Sequence, residues 1–223
     1  MPKLIVIEGV DASGKNTQTK LLIKHIKNQG RQVETIPFPR HGQQFFGVLV
    51  DKYLNNEFGD AAQLDPHIAS LFYACDRWEV KNKLDGWLKQ GKTIVLDRYA
   101  TSNMAHQASK IKNTEERNQF INWLHQLEFD IFKIPAPDLV FYLNVPIPIV
   151  LDLMSKRDQT QKKYIKNGNR DGLESNTNHL TEARETYLGL CKKYDYWRQI
   201  DCVQNNKLLT INQIHSIITQ QLD

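Results

Sequence analysis

The chain has 223 residues, 40% hydrophobic and 24% charged, the composition of an ordinary globular protein read as one domain over 1–223. Its 29 Lys and Arg against 25 Asp and Glu leave a formal charge of +4, too mild to point to nucleic acid. No apolar run approaches the roughly 18 residues of a membrane span, and the scattered Cys75, Cys191 and Cys202 suit reduced thiols in a cytoplasm, not a disulfide framework or zinc site.

In chain order, Leu4 to Ile7 reads as a strand, entered so early that no signal peptide is expected. Lys15 to Lys27 reads as a helix and Gln32 to Ile36 as a second strand. Asp65 to Gln90 reads as one long helix, since Ile68, Leu71, Phe72 and Cys75, then Leu84, Trp87 and Leu88, recur at helical spacing. Asp65-Pro66 gives it a capping carboxylate and an N-terminal Pro, and Gly91 a stop. Thr93 to Leu96 and Leu139 to Leu143 are apolar throughout, as strands buried on both faces should be. Thr114 to Phe132 is a helix ended before Pro135-Ala136-Pro137. Pro146 to Arg157 and Asn178 to Trp197 are helices, a fifth strand falls within Gln199 to Val203, and a helix from Asn212 to Gln221 closes the chain. Strands alternating with helices predict a parallel five-stranded sheet covered by helices, a three-layer α/β fold. Lys156 to Asn178 is polar and lacks apolar periodicity; inside a domain, such a stretch reads as a mobile lid.

The most informative segment follows the first strand. Gly9-Val10-Asp11-Ala12-Ser13-Gly14-Lys15 has the form G-x-x-x-x-G-K between a strand and a helix, so backbone N–H groups and the helix N-terminus converge on a phosphate and Lys15 reaches the outer phosphates. The Ser or Thr that usually follows the Lys and ligates magnesium is here Asn16. Thr17 does not simply replace it, because one residue turns a helix by about 100°. An amide oxygen from Asn16, given to the ion or to its water, makes a metal site of unusual composition.

Ligands in an open parallel sheet collect at the C-terminal strand ends. There the chain places Phe38-Pro39-Arg40-His41-Gly42 after strand two and Asp97-Arg98-Tyr99 after strand three. Charges at the end of a buried strand bind a ligand or pair with each other. Tyr73 and Arg77 share a helix face, suiting one to stack on a ring and the other to grip a phosphate, although Tyr73 also fits plain core packing. Asn103 and Gln107, likewise four apart, suit a base edge or simply solvent.

Six segments together resemble the thymidylate kinases: IEGVDASGKNTQ, FPRHG, ACDRWE, LDRYATSNMAHQAS, IPAPDLVFYLNVP and EARETYLGL, in the family's order and nearly end to end. The resemblance implies a P-loop kinase that phosphorylates dTMP with ATP and Mg2+ and forms a homodimer, with the long Asp65 to Gln90 helix as a candidate surface. It implies that Gly9 to Thr17 hold ATP and Lys15 its phosphates. Asp11 would lie near the acceptor and help place the metal. Phe38, Pro39 and Tyr73 would wall the thymine, Arg77, Asn103 and Gln107 would read it, and Arg40 and Arg98 would take the acceptor phosphate. Asp97 and the lid's Glu174 join Asp11 and Asn16 as metal candidates. His106 stands where the family commonly has Tyr. Some members carry a catalytic Arg just after the loop Asp; here that place is Ala12, so the charge is expected from the lid, from Arg157 first and Arg170 second. Other readings of the loop are kinase action on another pyrimidine monophosphate, or nucleotide binding without catalysis. A GTPase switch is disfavoured, since no N-K-x-D guanine-reading motif appears near the end of a later strand.

Overall fold

Runs of β-branched residues and leucines without polar alternation make strands covered on both sides. The computed structural model, which describes residues 3–156 and 177–222, builds such strands at the centre of the molecule. Strands β1 (Leu4–Glu8), β2 (Val33–Glu34), β3 (Thr93–Asp97), β4 (Leu139–Asn144) and β5 (Trp197–Asp201) form a parallel sheet in the order β2-β3-β1-β4-β5. β1 is buried throughout, with Ile5 opposite both Val95 and Leu139.

Successive side chains of a strand point to opposite faces, and the two cores follow that rule. Leu4 and Val6 join one cluster, Ile5 and Ile7 the other. The first core packs under α4 (Lys81–Lys89), α5 (Ala100–His106), α6 (Thr114–His125) and part of α8 (Thr177–Lys193). The second packs under α1 (Lys15–Asn28), α7 (Ile147–Lys156) and α9 (Ile211–Thr219). The expected three layers are present. The chain leaves β1 toward β2 and leaves β3 toward β4, so the connections part between β1 and β3, and open α/β sheets take ligands at such a crevice.

The expected long helix over residues 65–90 is in fact two. α3 (Pro66–Trp78) starts as anticipated, with Asp65 accepting the His67 amide at 2.8 Å and the Ile68 amide at 3.3 Å. It ends at Glu79, and α4 restarts after Val80. No Gly or Pro marks this break. It accompanies a tertiary demand, since the Glu79 carboxylate binds the Arg40 guanidinium and Val80 is buried. The helix expected over 114–132 leaves α geometry at Gln126–Ile131, which form a π turn. No element was expected over residues 44–54, where the structure builds α2 (Gln44–Leu54), although its buried Gly47, Val50, Tyr53 and Leu54 do recur at helical spacing. Gly47 must be Gly, because a Cβ there would lie 2.1 Å from the Arg40 carbonyl oxygen. The fifth strand begins at Trp197, two residues before the expected stretch, and a short hairpin, Val203–Gln204 with Lys207–Leu208, follows it.

The polar centre of the fold is Glu8, the last residue of β1, which is fully buried. Its carboxylate accepts the Tyr99 amide at 3.2 Å and the hydroxyls of Thr101 at 2.6 Å, Ser102 at 2.7 Å and Tyr187 at 2.7 Å. One side chain thereby ties β1 to the start of α5 and to α8. Replacement by Ala strands these donors, and each buried unsatisfied group costs about 1–3 kcal/mol. Urea unfolding of Glu8→Ala should show a loss of about 3 kcal/mol or more; a loss below about 1 kcal/mol would mean that the cluster does not hold these elements together.

Candidate active site

Two cavities open at the carboxyl ends of β1, β2 and β3. The larger, about 710 Å3, runs along the phosphate loop past Asp11, Ala12, Gly14, Lys15, Asn16 and Thr17, with Asp97 and Arg98 opposite. The smaller, about 100 Å3, lies between Phe38, Pro39, Tyr73, Arg77, Asn103, His106, Gln107 and His179. Asp11, Phe38, Pro39, His41 and Arg98 line both.

The loop owes its shape to close backbone approaches. A Cβ on Gly9 would stand 2.5 Å from Ser13 Oγ, and Gly14 takes φ +91° at the entry to α1. Lys15 is drawn in by the loop itself, its Nζ donating to the Val10 carbonyl at 2.9 Å. Burial, assisted by the Arg98 charge, lowers its pKa to about 8 against the opposing pull of Asp11, Asp97 and Glu8. Ser13 Oγ is buried without a protein partner among the described residues. An unsatisfied hydroxyl and a partly desolvated ammonium beside a ring of backbone amides suit phosphate oxygens.

At the end of β3, Arg98 adopts φ +67°, a region costly for a residue with a Cβ. Its amide donates to the Ile7 carbonyl at 3.1 Å, and the next amide goes to Glu8. Strained backbone thus aims the guanidinium at the meeting point of the two cavities. There Nη2 donates to Asp11 at 2.8 Å, while Nη1 reaches Ser102 Oγ at 3.3 Å and His106 Nε2 at 3.1 Å. The pairing is with Asp11, not the mutual Asp97–Arg98 pair open to the sequence reading. His106 Nδ1 lies 3.4 Å from His179 Nε2. Burial, then the Arg98 charge, keeps His106 well below the usual histidine range, and burial with Lys110 brings His179 to about 4, so both rings are neutral near pH 7.

The far wall of the smaller cavity gathers the residues expected to read a base. Tyr73 lines it, held edge-on by Tyr53 with ring centres 5.9 Å apart. Asn103 and Gln107 are buried, which removes the solvent-facing alternative. Gln107 Oε1 has no protein partner among the described residues. The Phe38–Pro39 bond is cis, and the Phe38 ring rests 5.7 Å from that of Tyr99.

A phosphate loop that shares an ion pair with a pocket of ring walls and amides has the layout of a two-substrate kinase site. The family model described as thymidylate kinase matches residues 7–214. The chain belongs to the thymidylate kinase family. It is 30% identical to the thymidylate kinase of Plasmodium falciparum (isolate 3D7) over 222 residues, 99% of this chain and 89% of that protein. It is 32% identical to the Homo sapiens thymidylate kinase over 144 residues, 65% of this chain and 61% of the human protein. A solved thymidylate kinase structure from Candida albicans superposes with a TM-score of 0.73 at 26% identity, covering 98% of this chain and 89% of that one.

Within this candidate site, one expected residue stands elsewhere. Arg40 does not line either cavity. It is buried, donating from Nε to Asp76 at 3.0 Å and from Nη2 to the Asp76 carbonyl at 2.9 Å, with Glu79 and Gln44 as further partners. The Asp76 carboxylate, pushed up by burial, is held by Arg40. Arg40 therefore clamps the Phe38–Pro39 loop to α3, and its expected place on the acceptor phosphate is corrected. The expected Arg157, Arg170 and Glu174 lie outside the described residues.

The sequence reading missed Glu8, Ser102 and Glu128. A charge at the end of a buried strand needs a partner, and by that rule Glu8 stands out as much as Asp97 does. Ser102 and Glu128 have no local signal, because their partners come from distant parts of the chain.

Removing one partner of a buried ion pair costs about 3–5 kcal/mol, because the other charge is left uncompensated. Arg40→Ala should therefore lose about that much stability in denaturant unfolding, while the KM for the acceptor nucleotide, measured well below the melting temperature, stays within about threefold of the parent. A raised acceptor KM with unchanged stability would return Arg40 to the phosphate.

Proposed function

We propose that this chain transfers the γ-phosphoryl group of ATP to dTMP, giving dTDP and ADP. The observation that carries the reading is the Asp11–Arg98 pair lining both cavities, which supports a donor phosphate chain and an acceptor phosphate meeting at one point. In this reading Lys15 and the loop amides bind the ATP phosphates and Arg98 takes the acceptor phosphate. Phe38, Pro39 and Tyr73 sandwich the thymine, and Arg77, Asn103 and Gln107 meet its polar edge. His106 and His179 lie between the phosphate and base ends, against the sugar. The phosphoryl group leaves the β-phosphate oxygen of ATP and bonds to a phosphate oxygen of dTMP, with both nucleotides oriented by side chains the fold has already fixed.

Magnesium suits the donor set. It takes hard oxygen ligands and is commonly held by one or two carboxylates together with phosphate oxygens and water. Asp11, Asp97 and Asn16 line the larger cavity and offer two carboxylates and an amide oxygen, and among the described residues no cluster of three His, Cys, Asp or Glu offers an all-protein cage. When bound, the ion neutralises phosphate charge. Glu174 is a fourth candidate.

A second copy of the chain is the proposed partner. α3 presents Ile68, Leu71 and Trp78 at helical spacing, exposed at 48%, 38% and 51%, and such a stripe on a helix suits burial against its own copy. No helix among the described residues is long and apolar enough to cross a membrane, and a cytoplasmic location remains part of the proposal.

A panel of nucleoside monophosphates, assayed with ATP and magnesium, tests the acceptor. A missing methyl in an apolar pocket is worth about 1–3 kcal/mol, so dUMP should fall about 10–200-fold below dTMP in kcat/KM. Cytosine reverses the hydrogen-bonding groups and leaves buried partners unpaired, so dCMP should fall far below dUMP. Equal turnover of dCMP and dTMP would overturn the base assignment, and saturable binding without dTDP would leave a binding protein.

The proposed catalytic cation comes from the lid segment, Arg157 first and Arg170 second. A cation on the transferred group contributes about 10³–10⁵ in rate, or about 4–7 kcal/mol. At saturating substrates, Arg157→Ala or Arg170→Ala should lower kcat by about three decades or more. Near-parental kcat in both, and in the double variant, would remove the lid from the mechanism.

A further inference from the structure

The base-facing wall rests on one buried charge that none of the roles above uses. Glu128 is fully buried, within the π turn that follows α6. It accepts from Arg77 Nε at 3.0 Å and from Arg77 Nη2. It also lies 3.5 Å from Asn103 Nδ2, and the same Nδ2 donates to the Ser70 carbonyl at 3.2 Å. Two helices, α3 and α5, thus converge on a single carboxylate that the π turn supplies.

The chemistry of these groups restricts what they offer a ligand. A guanidinium has five N–H donors in a rigid plane. With Nε and one N–H of Nη2 committed to Glu128, the Nη1–Nη2 edge is left to donate, and Arg77 lines the cavity. An Asn amide presents oxygen at one end and nitrogen at the other, and a half-turn about its last torsion exchanges them at little steric cost. Here the nitrogen end faces two acceptors, the Ser70 carbonyl and the Glu128 carboxylate. A flipped amide would set oxygen against oxygen at both contacts. The unflipped amide leaves Oδ1 as the acceptor at the cavity wall.

We infer that Glu128 is a positioning residue for acceptor selection, which fixes a donor on Arg77 beside an acceptor on Asn103. That donor–acceptor pair complements a pyrimidine bearing a 4-oxo group next to N3–H, and it opposes a 4-amino pyrimidine, whose N4 donates and whose N3 accepts. The inference rests on the reading of the smaller cavity as the acceptor base site. Arg77 and Asn103 touch the base; Glu128 acts through them, by holding the fork in one plane and the amide in one orientation. The π turn is what brings it there, since the following Phe129 packs against the core while Glu128 faces Arg77.

The test is selectivity, measured as the ratio of kcat/KM for dTMP to that for dCMP. Glu128→Gln keeps the size of the side chain and introduces an amide N–H₂ facing Arg77 and Asn103. The ratio should fall about ten- to hundredfold, through a raised KM for dTMP and a gain for dCMP. The KM for ATP should stay within about twofold, a split that general loosening of the fold would not produce. Glu128→Asp keeps the charge but withdraws it by one methylene, and it serves if the Gln variant does not fold; its ratio should fall about tenfold. A parental ratio in either folded variant, or equal rises in both KM values, overturns the inference. Arg77→Gln is run alongside. If it too keeps the parental ratio, the base-site reading fails; if it collapses the ratio while the Glu128 variants keep it, the positioning role alone fails.

Discussion

A carboxylate buried at the end of the central strand organises this molecule. Glu8 places a carboxylate out of reach of solvent, and it is tolerable there because four donors surround it. Those donors come from the turn after β3, from the first residues of α5 and from the middle of α8. Satisfying one carboxylate therefore sets the distance between the two strand ends that flank the crevice. It also fixes Ser102, whose hydroxyl contacts Arg98. The strained backbone of Arg98 follows, since its own amide reaches β1 and the next reaches Glu8. The meeting of the two cavities at Asp11 and Arg98 is thus a consequence of polar satisfaction in the core, not of loop sequence alone.

The same logic recurs on the acceptor side at two further buried charges. Arg40 with Asp76 fastens the cis-Pro loop to α3, and Arg77 with Glu128 fastens α3 to the π turn. Each pair is desolvated, and such pairs are weak sources of net stability. What they supply is placement: each holds a wall of the smaller cavity in one position. α3 carries both Asp76 and Arg77, adjacent residues whose side chains serve the two clamps; Tyr73, four residues before Arg77, lines the same cavity, and Ile68, Leu71 and Trp78 are exposed.

Much of this was legible in the sequence, and the failures have physical causes. The strands at Leu4, Thr93 and Leu139 are apolar throughout and were read nearly to the residue, because burial on both faces leaves no other pattern. The phosphate loop was equally legible, since its glycines answer local backbone demands. The break between α3 and α4 and the π turn after α6 carry no such marks. Both occur where a side chain is drawn to a partner far away in sequence, Glu79 to Arg40 and Glu128 to Arg77, and local propensity holds no record of a distant partner. Arg40 failed for the same reason: a motif gives an arginine's position in the chain but not the direction its guanidinium takes.

The π turn has a consequence for how this segment can vary over time. Such a turn is in effect an α-helix with one residue too many, so its geometry depends on length as much as on composition. Deleting a single residue there would let the helix close into ordinary α geometry and rotate everything beyond it by about 100°. The residues between α6 and β4 should therefore resist any change in their number across descendants of this chain.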